Sequence, residues 1–171
     1  TLKAGPLASQ LTEQLSIDPA LYFAKARLAL NEQNLEQVRH NTTILYGLWY
    51  DNTMRLVDLA DLQLRSQDQQ GLKATLERLS ALHAPLAQQQ FLLVRQQLML
   101  GDYSNGLKTL KKLTAQIGYT NETRELEAHL LIGLGQLAAA AQLLEPLLAQ
   151  SGSPTHLVLL LHCKQADKPA V

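Results

Sequence analysis

The chain has 171 residues, 46% of them apolar and 18% charged, with 15 Lys+Arg against 15 Asp+Glu. That length and apolar share can bury a real core in one domain or one compact array. The charge balance excludes the basic excess that selects nucleic acid or an anionic membrane, and the lone Cys163 excludes an intrachain disulfide and a cysteine-based zinc site.

Leu, Ala, Gln and Glu outweigh the strand formers Val and Ile, so helix is predicted throughout. The first predicted helix covers 6–16, with Leu7, Leu11 and Leu15 on one stripe and polar residues elsewhere. Asp18-Pro19 then reads as an N-cap followed by proline in the first turn, where its missing N–H costs nothing. Apolar spacing places further helices at 19–32, 35–49, 53–66, 69–83, 86–100 and 103–117. Asn121-Glu122 opens another over 121–134, with acid favoured near the positive helix end, and 137–150 follows. Ser153-Pro154 repeats the cap-proline form and starts the last, 154–165.

Tyr46, Trp49 and Tyr50 cluster in "YGLWYDN", at the end of a predicted helix. Two readings stay open: a plug between neighbouring hairpins, or an exposed aromatic binding patch. The final helix differs from the rest. Leu157, Val158, Leu159, Leu160 and Leu161 cover all its sides, which implies cover by another element, a second copy of the chain included. At five residues this run is far below the roughly 20 that cross a bilayer, so no membrane insertion by this segment is expected.

A period runs through these elements. Val38, Gly71, Gly106 and Ala140 line up at separations of 33, 35 and 34. Three residues before each stand Leu35, Asp68, Tyr103 and Leu137, and five before each stand Gln33, Ser66, Gly101 and Gly135. Gly71 then marks either a close helix–helix approach or a frayed helix start. "GDYSNG" at 101–106 and "GQLAAA" at 135–140 carry a turn, an aromatic or Leu, then a small residue; "QNLEQV" at 33–38 and "SQDQQG" at 66–71 are weaker copies. A repeat of about 34 residues built from two helices resembles the tetratricopeptide-repeat family.

That resemblance implies an all-α, right-handed superhelix of about four hairpins, at 19–51, 52–85, 86–119 and 120–153, with flanking helices 6–16 and 154–165. It also implies a concave groove lined by the first helix of each hairpin. The matching positions are Phe23, Arg27 and Leu30, then Leu56, Ala60 and Gln63, then Phe91, Arg95 and Leu98, then Glu125 and His129. The Lys/Asn set with which one subclass clamps a C-terminal carboxylate is absent. An apolar strip through Phe23, Leu56 and Phe91, flanked by Arg27 and Arg95, suits an amphipathic segment carrying an acidic group.

Catalytic patterns fail on context. "GLGQLA" at 133–138 has dinucleotide-type glycine spacing, but a helical "AHLLI" precedes it where a strand is required. Glu125 and His129 share a helical face without the further ligands a metal needs, and no H-E-x-x-H or G-x-S-x-G occurs. The expectation is a non-enzymatic module without metal or cofactor that binds another protein or peptide. Its Leu/Ala/Gln-rich style points to one segment of a larger bacterial assembly, secretion or signalling protein. Two rivals stay open: an oligomerisation segment that forms a homodimer through the C-terminal helix, and a sensory module holding a small ligand between helices.

Overall fold

A computed structural model describes residues 17–166; the predicted helix 6–16, with Leu7, Leu11 and Leu15, lies outside them. The described residues form nine helices and no strand. They are α1 (Pro19–Asn31), α2 (Leu35–Leu48), α3 (Thr53–Arg65), α4 (Gln69–Ala81), α5 (Leu86–Met99), α6 (Tyr103–Ile117), α7 (Asn121–Gly133), α8 (Leu137–Ser151) and α9 (Pro154–Ala166). Each boundary lies within two residues of the position that apolar spacing predicts.

Side-chain caps fix several helix starts. Asp18 accepts the Ala20 N–H at 2.9 Å with Pro19 at the first helical position, and Asn34 accepts the Gln37 N–H at 3.1 Å. Asn52 caps α3 through Arg55, and Asp68 caps α4 through Gly71. At α7 the cap is Thr120, whose hydroxyl accepts the Thr123 N–H while Thr123 Oγ1 accepts the Thr120 N–H. Each such bond satisfies an N–H that the first turn leaves orphaned.

The turns inside the hairpins share one geometry. Gln33, Gln67, Gly101 and Gly135 all have positive φ, between 56° and 73°. In each turn the next residue's N–H reaches back to a carbonyl of the preceding helix: Asn34 to Ala29, Asp68 to Gln63, Asp102 to Gln97 and Gln136 to Leu131, at 2.8–2.9 Å. This is the left-handed C-terminal cap that closes a helix before a tight reversal. These turn residues fall at 33, 67, 101 and 135, a strict 34-residue step.

That step corrects the second copy of the repeat by one residue. Gln67, not Ser66, occupies the left-handed turn, so Leu72 and not Gly71 corresponds to Val38, Gly106 and Ala140. Val38, Leu72 and Ala140 are fully buried, and Gly106 is buried with them. Burial rather than smallness defines the position. Gly71 has a local reason instead. A methyl group there would collide with Asp68 Oδ2 and lie 2.8 Å from Gln63 Nε2.

Two compact units divide the chain, the first ending at Leu92 and the second starting at Leu93, within α5. In the first, α1 packs on α2, α3 on α4, α2 on α3, and like helices pair as α1 with α3 and α2 with α4. Its core holds Leu45, Leu56, Leu59, Leu72 and Leu79, all fully buried. In the second, α6 packs on α7, α7 on α8 and α8 on α9. One apolar cluster there joins Ala128 and Leu131 of α7, Ala140 and Leu144 of α8, and Leu160 and Cys163 of α9. Burial of a Leu side chain contributes about 1.5–3 kcal/mol, so each unit draws its stability from these stripes rather than from helix propensity.

Candidate functional site

In the first unit the chain builds an aromatic–arginine surface. Phe23 on α1 packs its ring against Trp49 at the end of α2, centroids 5.5 Å apart and planes tilted 59°. The Arg27 guanidinium lies 5.9 Å over the Phe23 ring and that of Arg55 lies 5.7 Å over Trp49. Spacing explains the first pair: residues 23 and 27 are one turn apart on the same face of α1. The second pair needs the turn between α2 and α3, which folds Arg55 back over Trp49. Beside them a cavity of about 290 Å³ is lined by Asp18, Pro19, Ala20, Phe23, Trp49 and Arg55. Its walls are largely apolar, with the Arg55 guanidinium as the cation lining it and Asp18 as a carboxylate already bonded to the Ala20 N–H. An apolar group bearing a carboxylate matches that combination.

Trp49 is buried and fills the joint between helices, so the plug role holds for it. Tyr46 and Tyr50 are half-buried and meet edge to face at 5.7 Å. Burial pushes the Tyr46 hydroxyl above its ordinary value, with the neighbouring Tyr50 adding to it. Arg78 of α4 ties this corner down. Its guanidinium lies 3.7 Å over the Tyr50 ring, its Nε donates to the Tyr50 carbonyl at 2.8 Å, and it pairs with Asp51.

The predicted groove residues divide by burial. In the first unit Phe23 and Leu30 are half-buried, Arg27 is exposed, and Phe91 on α5 is half-buried. Leu56 is fully buried and Gln63 is 2% exposed, so neither stands on an open groove face. In the second unit Arg95 and Leu98 on α5 and Glu125 and His129 on α7 are all half-buried.

Glu125 and His129 belong to a cluster that sequence spacing does not reveal. His129 Nε2 lies 4.0 Å from Glu125 Oε1, and His156 of α9 places Nε2 3.3 Å from Glu125 Oε2. His156 Nδ1 in turn lies 2.9 Å from Ser151 Oγ. A Ser–His–Glu chain of this kind resembles a nucleophile triad, yet Ser151 is committed elsewhere. Its hydroxyl donates to the Leu147 carbonyl at 2.8 Å and accepts the Ser153 N–H at 3.1 Å. A serine held that way at a helix end joins α8 to α9; activation as a nucleophile needs a hydroxyl that can hand its proton to the base. Among the described residues no group of three His, Cys, Asp or Glu side chains is placed to hold a metal ion.

The last helix presents two sides. Leu160 and Cys163 are buried against the second unit's core, while Leu157, Val158 and Leu161 are 45%, 64% and 49% exposed and Leu159 is half-buried. No helix among the described residues is long and apolar enough to cross a membrane.

Local spacing does not mark Arg55, Ser151 or His156 as site residues, because each reaches its partners only through a turn or a helix crossing.

No protein-family model matches this chain, and no curated protein sequence does. A solved structure does: the crystal structure of a tetratricopeptide repeat protein from Parabacteroides merdae ATCC 43184 superimposes with a TM-score of 0.74 at 16% identity. The match covers 93% of this chain and 62% of that one, so the chain spans less than two thirds of its neighbour's length. Consecutive helical hairpins, a 34-residue step in their turns and this superposition together make the fold that of the tetratricopeptide-repeat proteins.

Proposed function

We infer that this chain is a non-catalytic protein-interaction module, and that its first unit binds a partner segment pairing an apolar anchor with an acidic side chain. The observation carrying this is the apolar cavity beside Phe23 and Trp49 with Arg27 and Arg55 standing over the two rings. A carboxylate there gains charge-assisted bonds while the anchor gains desolvated aromatic surface. The tetratricopeptide-like fold supports the class of function, since stacked hairpins present helix faces side by side. Leu30 and Phe91 in the first unit, and Arg95, Leu98, Glu125 and His129 in the second, are proposed to extend contact along their own helices. Hairpin limits at 19–51, 52–85, 86–119 and 120–153 are proposed as the repeating units of this surface.

Selection from a random peptide library displayed on phage tests the reading. Enrichment of peptides with Asp or Glu next to a large apolar residue is expected. Arg27→Glu with Arg55→Glu should abolish that enrichment without changing helical content. Equal enrichment by parent and variant, or no enrichment at all, would sink it.

A second reading rests on the exposed Leu157, Val158 and Leu161 of α9. Three adjacent apolar side chains on one helix form the kind of patch that pairs with a second copy. Sedimentation should then show a concentration-dependent dimer that Val158→Asp with Leu161→Gln dissolves; a monomer at all concentrations would dismiss it.

A further inference from the structure

The aromatic site of the first unit carries two carboxylates beside its two guanidinium groups. Asp58, one turn along α3 from Arg55, places Oδ2 3.3 Å from Arg55 Nη1. Asp18 lines the cavity together with Arg55, and the Ala20 N–H holds its Oδ1 at 2.9 Å. Asp18 is fixed there as the cap of α1, and Asp58 is paired with a guanidinium that also lies over Trp49. Arg27 and Arg55 against Asp18 and Asp58 leave this corner without net charge, so no long-range field draws in a run of acidic residues.

What remains for a carboxylate is short-range. An arginine fork presents N–H donors on more than one edge, and with Nη1 engaged by Asp58 the Nε–Nη2 edge of Arg55 is the one that can take a carboxylate side by side. Arg27 stands over Phe23 and does not line the cavity. A second acid next to the first therefore gains no equivalent edge in the cavity and meets the charges of Asp18 and Asp58 instead. Resting on the binding role inferred for this site, we propose that Asp18 and Asp58 are its specificity-determining residues: they restrict it to partner segments with a single carboxylate beside the apolar anchor and turn away acidic runs. Discrimination of this kind comes from repulsion set against the wrong partner as much as from attraction to the right one.

The experiment is selection from a random phage-displayed peptide library on the full chain, run in parallel on the parent, Asp58→Asn and Asp18→Asn, with the acids in each enriched peptide counted. Asparagine keeps a side-chain oxygen for Arg55 at position 58 and a cap of equal quality at position 18, and removes only the charge. The parent should enrich peptides with one Asp or Glu beside a large apolar residue, and both variants should admit peptides with two or more. The most enriched parent peptide is then synthesised with and without one further Glu next to its acid, and binding is read from the fluorescence of Trp49, the chain's single Trp. The parent should bind the singly acidic form about threefold tighter or more, and each variant should shrink that ratio, because repulsion grows with the charge of the ligand. A merely structural aspartate would change the two affinities alike. Acidic runs among the parent's peptides, or the same acid count and the same affinity ratio in parent and variants, overturn the proposal while leaving the binding role standing. No enrichment by the parent removes the binding role, and the proposal with it.

Discussion

Leu130 of α7 lies directly over Gly106 of α6: a Cβ at position 106 would come within 2.6 Å of Leu130 Cδ2. Leu130 is fully buried, so moving aside would disturb the packing around it. The same two helices meet again where a Cβ at Gly133 would lie 2.5 Å from the Tyr103 ring. Close approach of α6 and α7 therefore rests on two glycines facing two large side chains.

Gly106→Ala tests this contact. Alanine favours helix by about 1 kcal/mol over glycine, but overpacking a filled core costs about 1–3 kcal/mol. The expected outcome is a net loss of stability in urea unfolding with an unchanged m value. Adding Leu130→Ala should make the two effects non-additive, because removing the leucine relieves the clash. A stabilised Gly106→Ala single variant would contradict the geometry.

Gln67→Gly should act in the opposite direction. Gln67 has φ 56° in the turn of the second hairpin, where Gly101 and Gly135 stand in the third and fourth. A side chain in the left-handed region costs about 1–2 kcal/mol, partly offset by the greater unfolded-state entropy of glycine. A small rise in Tm is expected, and Gln33→Gly, at φ 57°, should behave alike. Lower Tm in both would show that these side chains contribute more than their strain costs.

Acid should weaken the start of α7. The Thr120 hydroxyl and the residue's own backbone N–H hold the Glu122 carboxyl below its ordinary value. The charged form is favoured in the folded state, so its contribution is present above the unfolded-state value and is lost as pH falls through the folded one. Glu122→Gln should therefore differ from the parent at neutral pH and converge with it in acid. Titration of the Glu122 side chain by NMR reads the same effect, and a midpoint at or above that of an unstructured glutamate would refute it.

Cys163 should report the opening of α9. It is 1% exposed, and burial pushes its thiol up, which leaves little reactive thiolate at neutral pH. A thiol reagent should label the denatured chain quickly and the native chain slowly. Leu160→Ala, which thins the packing beside Cys163 in the same cluster, should speed native labelling without denaturant. Fast labelling of the parent would mean that this helix end does not stay packed.

Much of the fold was legible because it is written in local chemistry. Asp18-Pro19 marked a helix start, and the leucine spacing of α6 marked its buried face. Gly101 and Gly135 marked turns because glycine advertises positive φ. Gln67 was not legible in the same way: glutamine carries no such signal, and Gly71 nearby drew the repeat one residue out of register. Leu56 and Gln63 show the limit for the site. Helix period places them on one face of α3, but only their burial in the folded chain shows that this face is core. The cluster of Glu125, His156 and Ser151 joins three elements, and no spacing within one helix could have shown it.

By itself, the sequence determined that this protein is helical, where its helices start and stop, and that they recur in pairs, because caps, turns and apolar period act over a few residues. Tertiary structure alone decided which polar groups are buried, as with Asp68 and Gln63, and which arginines stand over aromatic rings, as with Arg55 on Trp49. Those outcomes depend on contacts between residues far apart in the chain. Their energies come from desolvation and close packing, which no local pattern encodes.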